Sequence, residues 1–288
     1  MNTEDIIDGQ SFIRFQDRKQ QVQIMGKVLD SLKSVWLRRP GRPFDVNVAN
    51  PKTNRNPIHG YIENQWHVFL EGLEAISDAL WINNPHANRR AENKINQLKT
   101  ASSLGFTIPN TCITSSKAKA IEFFSECKNG IVAKALDTPL IEYPDRDYFI
   151  FTNEINSLDE TNDEEFRVAP TIFQERIIPK IDYRVTVIGN ECFTVRAVAP
   201  EGKNIQIDWR ASKDEINFVR CDLPKDIVEL CIEIVNKFGL VFGAIDLVES
   251  EGKFYFLEIN PNGEWGWLQK KLQIPIAKTI SDYLIKGK

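Results

Sequence analysis

Asp246, Glu258 and Asn260 are the residues of this 288-residue chain whose types and spacing most directly suggest chemistry. They lie within residues 240–267, where two β-rich runs flank the polar segment Ser250-Glu251-Gly252. A three-residue loop with Gly252 in the left-handed conformation makes this a hairpin. That register pairs Glu249 with Lys253 and sets Asp246 opposite Phe256. Alternation along the strands then places Asp246, Glu258 and Asn260 on one face, with roughly 7–8 Å between the first two. Two carboxylates and an amide are hard oxygen donors suited to Mg²⁺, an ion that commonly bridges protein carboxylates to nucleotide phosphates. The plainer reading of the same spacing is an edge hairpin whose solvent face carries acids.

Cations sit at equally telling places. Lys134 interrupts the apolar strand 131–135, where an ammonium group needs a partner. Arg184 lies on a strand over 182–188, joined by a two-residue Gly189-Asn190 loop to a return strand running through Arg196. A strict two-residue loop puts Arg184 and Arg196 on opposite faces. Arg38, Arg39 and Arg42 crowd a loop rich in proline and glycine after the short strand 34–37. Such a loop is either a solvated turn or a site for acidic side chains, since guanidinium forks match carboxylates. Residues 153–165 are dense in acids and poor in apolar groups, which predicts a mobile excursion able to select a basic region of a partner.

The elements that position these residues follow from periodicity. Apolar residues at helical spacing predict helices over 63–78, 89–104 (one helix, stopped by Gly105), 224–238 and 274–285. Ile227, Leu230, Cys231, Ile234, Val235 and Phe238 make the third the clearest. Ser115 or Ser116 caps a helix to about Cys127. Strands are expected over 11–15, 79–82 and 171–178, the last ended by Pro179, while 136–147 contains no glycine. Within residues 1–34 only the strand at 11–15 is legible. Interleaved strands and helices predict an α/β (α+β) protein, divided here as an N-terminal α/β domain (1–85), a central domain (86–178) and a C-terminal antiparallel-sheet domain (179–288).

Composition excludes little but bounds the class. A hydrophobic content of 42%, a charged content of 26% and a net charge of −4 fit a soluble globular protein and do not advertise nucleic-acid binding. Five scattered cysteines without paired spacing read as reduced thiols. No apolar run approaches about 18 residues and the N-terminus is acidic, so neither a membrane span nor a signal peptide is expected and the location predicted is cytoplasmic.

The run Gly243-Ala244-Ile245-Asp246 followed by Phe256 to Gly263 resembles the metal-binding signature of ATP-grasp ligases. Its extension Glu264-Trp265-Gly266-Trp267, with the Val35-Trp36-Leu37-Arg38-Arg39-Pro40 run, is similar to graspetide synthetases of the microviridin type, which crosslink ribosomally made peptides. The resemblance implies an ATP-grasp fold with a reduced N-terminal domain and a central lid. It also implies ATP and Mg²⁺ as cofactors, and a ribosomal precursor peptide, leader and core, as partner. By the same resemblance Asp246, Glu258 and Asn260 hold the metal. Lys94 and Lys134 reach the phosphates, Gln174, Glu175 and Ile177 form an adenine hinge, Asp182 lies near the ribose, and Arg184 with Arg196 serves catalysis. The implied reaction activates a peptide Asp or Glu as an acyl phosphate and joins it to Ser, Thr or Lys. Addition of amino acids to a peptide terminus, as by ribosomal-protein glutamate ligases, and a catalytically inactive peptide binder are the alternatives. A homodimer is the expected assembly for an enzyme of this size.

Overall fold

The computed structural model describes residues 10–29, 32–38, 57–137, 140–142, 146–159, 161–199 and 216–286; Arg39 and Arg42 lie outside them. Near the N-terminus an antiparallel meander is formed by β1 (Phe12–Gln16), β2 (Lys19–Ile24) and β3 (Lys27–Val28). Its tight turns use left-handed backbone at Asp17, Arg18, Met25 and Gly26. Only Val22 and Ile24 of β2 are buried, packed against Leu73 and Trp81. So much of the meander is polar that alternation alone does not reveal it beyond β1.

β4 (Ser34–Trp36), helix α1 (Pro57–Ala75) and β5 (Leu80–Ile82) follow, with β4 and β5 pairing in parallel, Val35 beside Trp81. The single helix expected over 89–104 is two helices, α2 (Pro85–Glu92) and α3 (Lys94–Leu104). Asn93 divides them because its side chain accepts the Asn96 amide and caps α3. Gly105, at φ 101°, ends α3 as expected.

The central part runs β6 (Thr111–Thr114), α4 (Lys117–Glu126), β7 (Ile131–Lys134), β8 (Leu140–Glu142), β9 (Asp147–Phe149), β10 (Asn153–Ile155), α5 (Asp163–Arg167) and β11 (Thr171–Glu175). Ser116 stands at the start of α4 without a capping side-chain hydrogen bond. The glycine-free stretch after Lys134 carries the antiparallel β8–β9 pair. The acidic segment is not an excursion. β10 pairs with β7, Leu158 is buried with Ala120, Ile131 and Phe173, and Asn162 with Glu165 forms a reciprocal capping box on α5. Phe166 stacks on Phe173 at 6.0 Å. Two apolar anchors and a cap therefore order a stretch whose charge suggested mobility.

The C-terminal part holds β12 (Ile181–Ile188), β13 (Glu191–Val198), β14 (Asn217–Arg220), α6 (Lys225–Lys237), β15 (Phe242–Ser250), β16 (Lys253–Asn260), α7 (Gly266–Leu272) and α8 (Ile276–Lys286). Its antiparallel sheet is ordered β14-β13-β12-β15-β16. Tyr183, Val185, Val187, Ile245, Leu247, Phe256 and Ile259 bury one face against Ala91 of α2, Ala101 of α3, and Ile234 and Val235 of α6. Each such large side chain contributes about 1.5–3 kcal/mol, enough to make this face a fixed platform; the opposite face carries Arg184 and Asp246 beside a second apolar cluster that includes Ile188, Phe242 and Ala244.

Candidate active site on the C-terminal sheet

The β15–β16 hairpin turns on two residues, Glu251 and Gly252, both left-handed (φ 53° and 79°), so Ser250 pairs with Lys253 in place of the expected Glu249–Lys253 pair. The register then runs Leu247 opposite Phe256, breaks at Leu257, and resumes with Asp246 opposite Glu258 and Ala244 opposite Asn260. Asp246 therefore faces Glu258, not Phe256. A regular strand after a two-residue turn would pair Asp246 with Leu257 and send Glu258 into the core with Ile245. The bulge at Leu257 prevents this: it leaves Phe256 fully buried under the sheet and turns Glu258 and Asn260 to the face of Asp246.

Two carboxylates directly opposed on neighbouring strands repel unless cations stand beside them. Arg184, paired with Asp246 across β12 and β15, donates from Nη1 to Asp246 Oδ1 at 2.7 Å. Lys94 Nζ lies 3.2 Å from Glu258 Oε2. A lysine at the first position of a helix opposes the helix dipole, and Glu258 offsets that cost.

Buried amides fix the backbone under these groups. Gln97, 3% exposed, donates to the carbonyl oxygens of Ile259 (2.9 Å) and Ala91 (2.6 Å), and its Oε1 accepts the Ile259 amide (3.1 Å). It thus acts as a neighbouring strand for the one residue between Glu258 and Asn260. Asn83, 2% exposed, donates to the carbonyls of Phe242 (2.8 Å) and Pro261 (3.1 Å) and accepts the amides of Val241 and Phe242, both at 2.8 Å. All four of its hydrogen-bonding capacities are used. Asn260 Oδ1 accepts the Asn262 amide at 2.8 Å, and Asn262 Nδ2 donates to Glu92 at 3.1 Å. Sequence reasoning assigned neither Asn83 nor Gln97 a role: Asn83 signalled only a strand end, and a buried amide has no signature apart from its fold.

A second group forms on the central sheet. Lys134 Nζ donates to Gln174 Oε1 at 2.7 Å, and Gln174 Nε2 donates to Thr111 Oγ1 at 3.0 Å. The amides of Glu175 and Arg176 are used on the carbonyls of Asn110 and Gly130, and the Glu175 carboxylate accepts from Asn110 Nδ2 at 2.7 Å. Ile177, also expected in the hinge, lies beyond the end of β11. Asp182, 6% exposed and two residues before Arg184 on the same face, pairs with Lys180 at 2.7 Å. Arg196 stands apart. It lies opposite Tyr183, exposed, on the face away from Arg184.

The remaining reactive groups make poor nucleophiles or bases. Burial pushes up the thiols of Cys112, Cys127, Cys192, Cys221 and Cys231, with Cys192 reaching about 11. Burial, followed by its hydrogen bond to Glu249 at 2.7 Å, also raises the Tyr183 hydroxyl well above its usual value. Among the described residues no three His, Cys, Asp or Glu side chains cluster. The facing pair Asp246 and Glu258, completed by the amide oxygen of Asn260, is instead a hard oxygen set that fits Mg²⁺.

A family profile described as a RimK-like ATP-grasp domain matches residues 91–284. Among solved structures, a Chryseobacterium gregarium RiPP-associated ATP-grasp ligase, in complex with ADP and a leader and core peptide, is 26% identical with a TM-score of 0.85, over 100% of this chain and 88% of that one. The macrocyclase MdnC of Microcystis aeruginosa, bound with precursor peptide MdnA, is 25% identical with a TM-score of 0.85, over 100% of this chain and 91% of its own. A tetrahydromethanopterin:alpha-L-glutamate ligase of Methanocaldococcus jannaschii is 30% identical over 67 residues, and the match spans 23% of that protein's length and 23% of this chain. No helix among the described residues is long and apolar enough to cross a membrane.

Proposed function

This chain belongs to the RimK-like ATP-grasp ligases, and on that footing we propose that it uses ATP to join Asp or Glu side chains of a ribosomal precursor peptide to Ser, Thr or Lys side chains of the same peptide. The observation that carries the reading is the facing pair Asp246 and Glu258, set by a bulge beside Asn260 and flanked by Arg184 and Lys94. The likeness to ligases solved with leader and core peptides supports a peptide as substrate.

A carboxylate is a poor electrophile because an oxide would have to leave. In the proposed reaction a peptide carboxylate oxygen attacks the γ-phosphorus of ATP and ADP departs. A hydroxyl or amine of the peptide then attacks the acyl carbon, inorganic phosphate leaves with the original carboxylate oxygen, and the attacking group loses its proton. The peptide loses one water for each bond made. Asp246, Glu258 and Asn260 would hold Mg²⁺, which neutralises charge on the phosphates when bound. Arg184 and Lys94 stand beside that set, and Lys134 extends from the central sheet; each offsets charge that builds on the transferring phosphoryl group. Gln174 orients Lys134. Asp182, Glu175 and Ile177 are assigned to the nucleoside. Arg196, on the far face, is left out of the catalytic set.

The test is ADP release with a candidate precursor peptide, followed by mass spectrometry. Loss of water from the peptide supports crosslinking; gain of a residue mass points to terminal amino-acid addition, and peptide binding without ADP release to an inactive binder. Glu258→Gln should lower ADP release by at least about 100-fold, since even outer-shell changes at metal sites cost 10–100-fold. Normal turnover by that variant would sink the metal assignment.

A further inference from the structure

Trp36 and Arg38, far in sequence from the Trp-Gly-Trp extension, meet it in the fold. Trp36 and Trp265 stack with ring centroids 6.2 Å apart and an interplanar angle of 26°. The Arg38 guanidinium carbon lies 5.6 Å from the Trp36 centroid and 5.4 Å from that of Trp265. Arg38 Nη2 is also 3.3 Å from Glu264 Oε1. The group lies close to the candidate active site, because Glu264 follows Gly263 directly. Gly263 is packed so tightly that a Cβ there would come within 2.3 Å of the Ala244 Cβ and 2.8 Å of Arg184 Nη2. The backbone leaving the metal-ligand strand is thereby pinned against Arg184, and Glu264 and Trp265 come next.

We propose that Arg38, held by Trp36 and Trp265, is a subsite for an acidic side chain of the bound peptide, with Glu264 occupying it until a substrate carboxylate displaces it. The inference rests on the peptide reading above and adds to it a residue that selects acids. Two aromatic rings fix the guanidinium plane and reduce its hydration, while 26% of the side chain stays accessible. Glu264 is 55% exposed, so its pair with Arg38 lies in high dielectric and is weak. Exchanging that carboxylate for one from a peptide keeps an ion pair at Arg38.

The two partners of one ion pair give opposite signs under this proposal. The experiment follows fluorescence anisotropy of a fluorescein-labelled synthetic peptide of alternating Glu and Thr, and of its Gln and Thr counterpart, with the full chain and Mg-ADP. Arg38→Lys keeps the charge but loses the planar fork, and should weaken binding of the Glu peptide by roughly fivefold. Glu264→Gln removes the internal competitor and should tighten it by roughly two- to fivefold. Neither change should move the Gln peptide. If Arg38 and Glu264 serve only as a brace, both variants lower the melting temperature and shift binding in the same direction, which overturns the proposal. Equal binding of the Glu and Gln peptides to the unaltered chain overturns it as well. ADP release is read separately: its absence with precursor peptides sinks the ligase reading, while opposite-signed binding shifts still establish the subsite.

Discussion

The two cationic ends of the candidate site are held in opposite ways. On the C-terminal sheet Arg184 and Lys94 each face a carboxylate, Asp246 and Glu258. On the central sheet Lys134 faces a neutral amide, Gln174, which is itself tied to Thr111. An ion pair fixes position but also compensates charge, so removing one member leaves the other uncompensated in a partly desolvated place. An amide orients an ammonium through a hydrogen bond without itself carrying a compensating charge. In the proposed function the first end is a structural element that also meets the phosphates, and the second is a contact to them that the fold can lose cheaply.

The sharpest way to break this comparison is Asp246→Asn. The Arg184 and Asp246 side chains are 10% and 15% exposed, and truncating such a pair leaves a nearly buried guanidinium without its carboxylate. The variant should lose on the order of 3 kcal/mol in urea unfolding together with peptide-dependent ADP release. Stability equal to the unaltered chain would show that the pair is not structural. Next in size is Gln97→Leu, which removes the amide that acts as a strand for Ile259 while keeping the side chain's bulk. Turnover should fall about 10–100-fold, as for second-layer partners of metal ligands, with a raised Mg²⁺ requirement. Gln97→Glu, which keeps the acceptor for the Ile259 amide, should recover part of the loss. An unchanged Mg²⁺ requirement would show that Gln97 only fills space.

The difference between the two ends also explains what the sequence disclosed. Helix α6 was legible because its apolar residues repeat at helical spacing and Gly239 follows it. Asp246, Glu258 and Asn260 were legible as candidate ligands, yet the reason they converge was not. The bulge at Leu257 leaves no mark in a run where every residue is strand-compatible, and the turn is one residue shorter than Ser250-Glu251-Gly252 suggested. Charge misled in the acidic segment, although Asn162 and Glu165 carried a capping-box spacing that pointed to α5. Asn93 likewise was a cap inside an apparently continuous helix. The roles of Gln97 and Asn83 were out of reach, since, Ala91 apart, their partners are backbone groups more than 150 residues away.

At the central sheet the comparison predicts a milder outcome. Lys134→Met removes the ammonium and leaves Gln174 bonded to Thr111. The KM for ATP should rise about tenfold, the size of one charge-assisted contact, while the melting temperature stays within about 2 °C. A loss of stability as large as that of Asp246→Asn would erase the distinction between the two ends.

The smallest effect concerns Glu92, a third acid drawn toward the charged end by its bond to Asn262. Burial raises its pKa from 4.5; the Asn262 hydrogen bond opposes this, the charge of Asp137 adds to it, and Arg89 opposes it again. A raised carboxyl pKa means that the folded state holds the proton more firmly than the unfolded one. Stability is therefore lost as pH rises from about the unfolded value through the folded one, and ionised Glu92 weighs against folding at neutral pH. Glu92→Gln keeps a carbonyl acceptor for Asn262 and carries no charge. The variant should melt at the same temperature as the unaltered chain at pH 4, where both forms are largely neutral, and slightly higher at pH 7, by less than about 2 °C given the outward position of the side chain. A gap that stays constant between pH 4 and pH 7 would assign the effect to packing. A lower melting temperature at pH 7 would mean that the charged end needs a third carboxylate, and that Lys94 and Arg184 are not balanced by Glu258 and Asp246 alone.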